Sequence, residues 1–584
     1  MLRHDVPGGV RNPMRTASSF RAACLAFALA LLGASCTGPQ QDANRNGVRG
    51  GTLRVLVADD FNGLDTAVNY TPTGIAIARA YARTLYGYNL SGPPEQVPVP
   101  VPDIASGPPQ LSADQRTYIV RLRAGVHYAP PVNREVTAQD FITAIERFYD
   151  KQTPSPGQFY ADLIAGAKRF GAGKASRISG LSALDARTLT ITLDQPASDF
   201  LSILTMSLFA PVPGEYAALY QVGANYSGHL VGSGPYTRET YIPGRLIVLV
   251  RNPNWDPASD PLRKAWVDRI RVQLLVSFPE IRRAIEREEA DLSLNSHVPA
   301  AQLAALRADP ERSRRLSVKP TGCLAFLALG THRGAGAIAD VRVRRAVNYA
   351  IDKVAYRDAA AGWYAPSGEV ASTILAPGSL GYRHYDLYPS PGGRGDPAKA
   401  RALLAEAGYP NGLTLGFATS DSGRHAAGRK PIEESLARAG IRLKVTTYKG
   451  NALWEKSLSV PSKRLERQLG QTGWCPDYLG DNARQTIRLQ YDGRIDPAVS
   501  SNFSEYHNPH VNRLIDRALA EPDQDPRAAL WGQIDQRIMR DAPLVPLLWE
   551  NHSFHWASRV RGWVYDPWTA TTDLTAPWLD PPGP

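Results

Sequence analysis

The residues best equipped for chemistry lie together in Trp474-Cys475-Pro476-Asp477. A thiol and a carboxylate flank proline, the one residue with no backbone N–H to donate. Gly473 and an indole stand just before them, so residues 470–478 offer open backbone groups, a stacking surface and one anion. These parts suit an extended ligand that carries an amine, and they need no nucleophile nearby. An ammonium enclosed in a cleft requires a partner, because an unpaired charge is costly to bury. A carboxylate supplies charge and acceptors together, and a hydrogen bond to a charged group contributes about 1.5–3 kcal/mol. Asp477 is the candidate for that role. Trp474 and Trp549 read equally as stacking surfaces or as core, since aromatic rings dominate protein interiors. Gly473 either lets a ligand backbone pair alongside its strand or serves a turn.

Other chemical readings fail on spacing. Asp42-Ala-Asn-Arg-Asn-Gly47 begins like a calcium loop, but Leu53 stands where the closing Glu must be. Residues 423–430 contain two glycines without the Gly-Lys-Ser/Thr that cradles phosphate. His552 and His555 are three apart with no further metal ligands near them. The sequence holds no Gly-x-Ser-x-Gly elbow and no His-Glu-x-x-His pair, so an exported hydrolase has no motif to stand on. No metal and no cofactor is expected.

The elements that must position these residues alternate between α and β. Residues 52–58, 246–251, 413–418 and 441–447 read as strands. Residues 117–123 and 187–193 alternate, and in the second Leu189, Ile191 and Leu193 face one way with Thr188, Thr190 and Thr192 opposite. Thr137-Ala-Gln-Asp140 is a capping box that opens a helix through Phe141, Ala144, Ile145 and Phe148. Asp396 caps a helix with Pro397 in its first turn and Gly408 at its end, its buried stripe being Ala400, Leu403, Leu404 and Ala407. Asp340 opens another, facing inward with Val343, Ala346, Val347 and Ala350.

At 584 residues the chain exceeds one core and divides into two or three domains. With 43% hydrophobic and 21% charged residues it is an ordinary globular composition, which excludes global disorder. The net charge is +11; Arg3, Arg11, Arg15 and Arg21 against Asp5 give the first 35 residues +3 and leave +8 on the rest. Basic residues are scattered with no run resembling a nucleic-acid-binding arm, so no nucleic-acid partner is expected.

Arg15 and Arg21 precede an apolar stretch at 22–32 that is too short to span a bilayer, marking residues 1–35 as an export signal. Gly33, Ala34 and Ser35 lead to Cys36, which resembles the acylation site of a bacterial lipoprotein, although Gly33 stands where such signals place Leu. Met1 and Met14 both serve as candidate starts. Residues 36–50 read as a linker. Cys323 and Cys475 remain in the exported part, where an oxidising compartment favours pairing over two free thiols.

Several stretches share one order: Gly50-Gly-Thr-Leu-Arg-Val before Gly63-Leu-Asp65, Leu122-Arg-Ala-Gly-Val126 before Val136-Thr-Ala-Gln-Asp140, and Gly232-Ser-Gly-Pro-Tyr236 before Leu249-Val-Arg-Asn-Pro253. Asp340-Val-Arg-Val-Arg-Arg345 with Ala350-Ile-Asp-Lys353, Ala402-Leu-Leu-Ala-Glu-Ala-Gly-Tyr409 and residues 473–478 follow. From Gly50 onward the chain resembles the extracytoplasmic solute-binding proteins of the oligopeptide, dipeptide and nickel class that serve ABC importers.

The resemblance implies a two-lobed α/β fold of the periplasmic-binding-protein kind with an extra domain, mixed sheets and a two-stranded hinge. It maps domain I to 45–72, 207–319 and 553–584, domain II to 73–206 and domain III to 320–552, with a hinge near Pro320-Thr-Gly322. It gives Asp477 the α-ammonium of a peptide and pairs Cys475 with Cys323. It places Phe61, Asn62, Tyr160 and Trp549 in the pocket beside Gly473, Trp474 and Cys475. Gln471 stands where the family carries a basic residue, which leaves open how a ligand carboxylate is held. The implied protein is a monomer, anchored through Cys36 or free in the periplasm, that captures oligo- or dipeptides and delivers them to permease subunits. An oligosaccharide, a metal chelate or another amine-bearing metabolite is the alternative ligand on the same fold.

Overall fold

The computed structural model describes residues 47–581 except 95, 154, 362–367, 451, 498–499 and 568. The expected export signal, Cys36 and most of the expected linker lie outside the described residues. Among the described residues no helix is long and apolar enough to cross a membrane.

Three principal sheets organise the chain. Thr52–Leu56 lies in a five-stranded sheet, parallel to Arg269–Gln273 on one side and to Leu292–Ser293 on the other. Leu246–Arg251 and Tyr236–Ile242 complete it as an antiparallel hairpin. The second sheet is antiparallel and four-stranded, with Thr117–Arg121 paired to Thr188–Thr192 at its centre. Its period-2 pattern is met: Leu189 and Ile191 are buried while Thr188, Thr190 and Thr192 are half-exposed. Helix Ala138–Glu146 packs beside it, opened by the reciprocal bonds of Thr137 and Asp140.

Buried ion pairs join these two sheets into one lobe. Arg147 reaches Asp65 at 2.8 Å, and Arg83 and Arg263 both converge on Asp103 at 2.8 and 2.9 Å. Each carboxylate is fully buried, so its guanidinium partners offset the cost of desolvation.

The second lobe is built on a mixed six-stranded sheet in the order Glu369–Val370, Leu544–His555, Leu316–Leu329, Leu469–Trp474, Leu413–Ser420, Ile441–Tyr448. Helices Val341–Ala350, Pro397–Glu406 and Gly423–Arg438 cover one face. Val343, Ala346, Val347 and Ala350 are buried as their spacing requires; of the stripe on the next helix, Ala400 and Leu404 are buried and Leu403 and Ala407 only partly.

Two antiparallel strands pass from one lobe to the other. Leu316–Pro320 pair with His555–Asn551 beside the first lobe's core, then Leu324–Ala328 pair with Trp549–Leu544 inside the second. The register shifts between Pro320 and Leu324, where Gly322 has φ +71°. That left-handed backbone costs a residue with a Cβ about 1–2 kcal/mol, which accounts for glycine at the crossing.

Candidate functional site

Strand Leu469–Trp474 brings the site to the inner end of the six-stranded sheet. Trp474 stands opposite Leu324, and Leu324 opposite Trp549, so the three share one face. Trp549 is buried there and packs edge-on against Tyr382, which makes it a core residue rather than an exposed stacking platform. Trp474 is half-buried; its indole N–H donates to Gln485 Oε1 at 2.6 Å and its ring lies near Trp454 and Phe503.

The next residues along the strand face the other way. A Cβ on Gly473 would lie 2.4 Å from an Arg424 guanidinium nitrogen. Arg424 in turn holds the buried Glu550 at 2.7 Å. The close approach that Gly473 permits is therefore occupied by Arg424. Burial raises the Glu550 carboxyl, and the Arg424 charge opposes that rise. On the edge towards Leu413–Ser420 the pairings are Phe417 with Leu469 and Ala418 with Gly470, and among the described residues no strand pairs with 471–474 on that edge.

Cys475 is bonded to Cys323, which ties the end of this strand to the crossing strand beside Gly322. Both alternatives for the two thiols are thereby decided in favour of pairing. Pro476 then directs the chain out of the second lobe. Tyr478 is wholly buried in the core of the four-stranded sheet, and Leu479 exchanges bonds with Tyr88, its N–H donating to the phenol oxygen at 3.0 Å.

Asp477 lies at this junction, half-buried. The hydroxyls of Tyr70 and Tyr160 both donate to its Oδ2. Tyr70 precedes the first helix of the opposite lobe, capped by Thr71, and Tyr160 belongs to the short helix Gln158–Ala161 there. Burial lifts the Asp477 carboxyl to about 6, against the lowering effect of the bonds from Tyr160 and Tyr70. Burial and the adjacent carboxylate push both phenols well above their ordinary range, so they remain protonated donors.

A second contact between the lobes lies close by in sequence. Asp199 accepts from Tyr478 at 2.6 Å and from Arg484 Nε at 2.7 and 2.8 Å. Ser198 donates to Asp481 at 3.0 Å, and Arg527 holds Asp481 at 2.7 Å.

Of the residues chosen from the sequence, Gly473, Trp474, Cys475, Asp477 and Tyr160 are brought together. Phe61 and Asn62 are not. Phe61 is buried in the core of the five-stranded sheet, where an aromatic ring gains most from packing, and Asn62 is exposed with its amide 3.5 Å from the Val68 carbonyl. Sequence reasoning missed Tyr70, 407 positions from Asp477, because no local pattern marks a contact that distant. It also missed Arg424 against Gly473.

His552 and His555 point to opposite faces of their strand, as residues three apart must. His552 packs on His297 with ring centroids 3.9 Å apart. Among the described residues no group of three or more His, Cys, Asp or Glu is placed to hold a metal ion.

Residues 99–491 match the family of bacterial extracellular solute-binding proteins, family 5 (middle). Heme-binding protein A of Haemophilus influenzae is 27% identical over 478 residues, covering 78% of this chain and 80% of that protein. The periplasmic oligopeptide-binding protein OppA of Escherichia coli (strain K12) is 25% identical, covering 80% of this chain and 81% of its own length. Among solved structures, clavulanic acid biosynthesis oligopeptide binding protein 2 superimposes with a TM-score of 0.85 at 30% identity, covering 93% of this chain and 99% of that one.

Proposed function

The chain belongs to the bacterial extracellular solute-binding proteins of family 5, and from that premise we propose that it captures peptides by their free amine for an ABC importer. The observation that carries this reading is the convergence of Tyr70, Tyr160 and Asp477 across the two lobes. A primary ammonium has three N–H donors. The carboxylate of Asp477 and the lone pairs of two phenol oxygens are three acceptors, contributed by both halves of the cleft. A ligand held this way touches both lobes, so its binding energy favours closure. The partly exposed edge at Gly473 and Trp474 gives an extended backbone something to pair with. Two of the similar proteins described above are named oligopeptide-binding proteins, which supports the same class of ligand here.

In this reading the protein binds and releases without converting its ligand. The hinge at Gly322 accommodates opening, and the closed lobes present a joint surface to permease subunits. The chain works as a monomer, held at the membrane through a lipid on Cys36. Mass spectrometry of what co-purifies with natively released protein tests the assignment. Peptides with unmodified N-termini are expected, and a bound solute with no amine would overturn it. A turnover assay with purified protein is expected to return bound peptides uncleaved.

A further inference from the structure

A peptide held by its amine has a second end. From the ion pair beside Gly473 we infer that this protein is indifferent to how that end is finished, whether as free carboxylate, amide or continuing chain. The inference rests on the reading of Asp477 as amine anchor and makes Glu550 the residue that sets this tolerance.

Asp477 and Gly473 are four positions apart, at most about 14 Å of chain. An extended ligand anchored at the first and running towards the second brings about its third or fourth residue to the partly exposed edge at Gly473. The cation stationed there is Arg424, in the first turn of helix Gly423–Arg438. Its Nη2 lies 2.4 Å from where a Cβ on Gly473 would stand. A guanidinium with its charge uncommitted is the natural partner of a ligand carboxylate. Here the charge is committed, because Nη1 donates to Glu550 Oε1 at 2.7 Å with the two side chains only 19% and 3% exposed.

A count of charges carries the point. Tyr356, His425 and His552 lie around the same guanidinium. Burial raises the Tyr356 phenol and lowers the imidazoles of His425 and His552 to about 3 and about 4, so all three are neutral at pH 7. One cation and one anion remain, and they cancel. A carboxylate arriving at Arg424 also meets the negative charge of Glu550, where little water is present to screen it. On the same strand Gln471 is neutral and wholly buried, its Oε1 accepting from Thr419 at 2.7 Å. Acid, amide and continuing chain all present a carbonyl oxygen to this edge, and none of them gains from a charge already cancelled.

Titration calorimetry on the full-length exported chain with Ala-Ala-Ala, its C-terminal amide and its N-acetyl derivative tests this. In the wild type the acid and the amide are expected to bind within about threefold of each other, the scale of one neutral hydrogen bond. Glu550→Gln keeps an acceptor for Arg424 and removes the anion, so the acid is expected to gain over the amide by about tenfold, the scale of a hydrogen bond to a charged group. Adding Arg424→Met to that variant is expected to return the ratio towards one. Each ratio is taken within one protein, so a general loss of affinity cancels, and thermal denaturation confirms that each variant folds. A wild type that already prefers the acid tenfold, or a ratio unmoved by Glu550→Gln, would overturn the inference while leaving the amine anchor standing. Acetylation without effect on affinity would remove the anchor instead. If neither free-amine tripeptide binds, both fall together.

Discussion

Two aspartates span the same gap between lobes and are held in different ways. Asp199 is fully buried and takes a guanidinium, Arg484, with the Tyr478 hydroxyl beside it. Asp477 is half-buried and takes the hydroxyls of Tyr70 and Tyr160. A guanidinium neutralises the carboxylate it binds, and the pair then serves as a structural contact. A phenol stabilises a carboxylate without cancelling its charge. The first arrangement pairs two charges across the lobes; the second surrounds a carboxyl whose pKa burial lifts to about 6, and the function proposed above assigns it the cationic guest.

The sharpest way to break the comparison is to strand the structural pair. Asp199→Ala leaves Arg484 buried without its carboxylate, an expected loss of about 3–5 kcal/mol from the contact between lobes. Chemical denaturation is expected to show the loss, and X-ray scattering an increased radius of gyration in the ligand-free protein. An unchanged envelope would mean that this pair does not hold the lobes together.

Smaller effects probe the other aspartate. Tyr70→Phe removes one bond to the charged form, so the carboxyl is expected to titrate higher and the affinity for free-amine peptides at pH 7 to fall by about 1.5–3 kcal/mol. Acidification works in the same direction. Protonated Asp477 has no charge to offer, so affinity is expected to rise with pH through about 6 and level off above it. One unit below that midpoint, at pH 5, binding should be about tenfold weaker. Calorimetry across pH 5 to 8 checks the sign; affinity independent of pH would place the anchor elsewhere. The smallest change is Gly322→Ala, which forces a Cβ into φ +71° and to 3.0 Å from Pro476. It is expected to destabilise the fold by about 1–2 kcal/mol.

What could be read from the chain follows the range of the interaction. Alternation at Leu189 and Ile191, the box at Thr137 and Asp140, and the cap at Asp396 are local, and each matches the structure. The Cys323–Cys475 bond was legible because only two cysteines follow the stretch that reads as an export signal and Cys36. Trp549 went either way in the sequence, since one indole suits a core and a pocket alike; its neighbours across the strands decide for the core. Tyr70 on Asp477 and Arg424 on Gly473 were not legible, because they join segments that only the packed lobes bring together. Phe61 and Asn62 carried a resemblance of position without a contact to support it.

The central claim is that Asp477 receives the amine of the ligand. Titration calorimetry of wild type and Asp477→Ala with Ala-Ala-Ala and its N-acetyl derivative tests it most directly. The account predicts that the substitution lowers affinity for the free-amine peptide by about 2–4 kcal/mol, the effect of leaving an enclosed ammonium without its partner, and that acetylation costs the variant far less than it costs the wild type. Equal loss on acetylation in both proteins would contradict it.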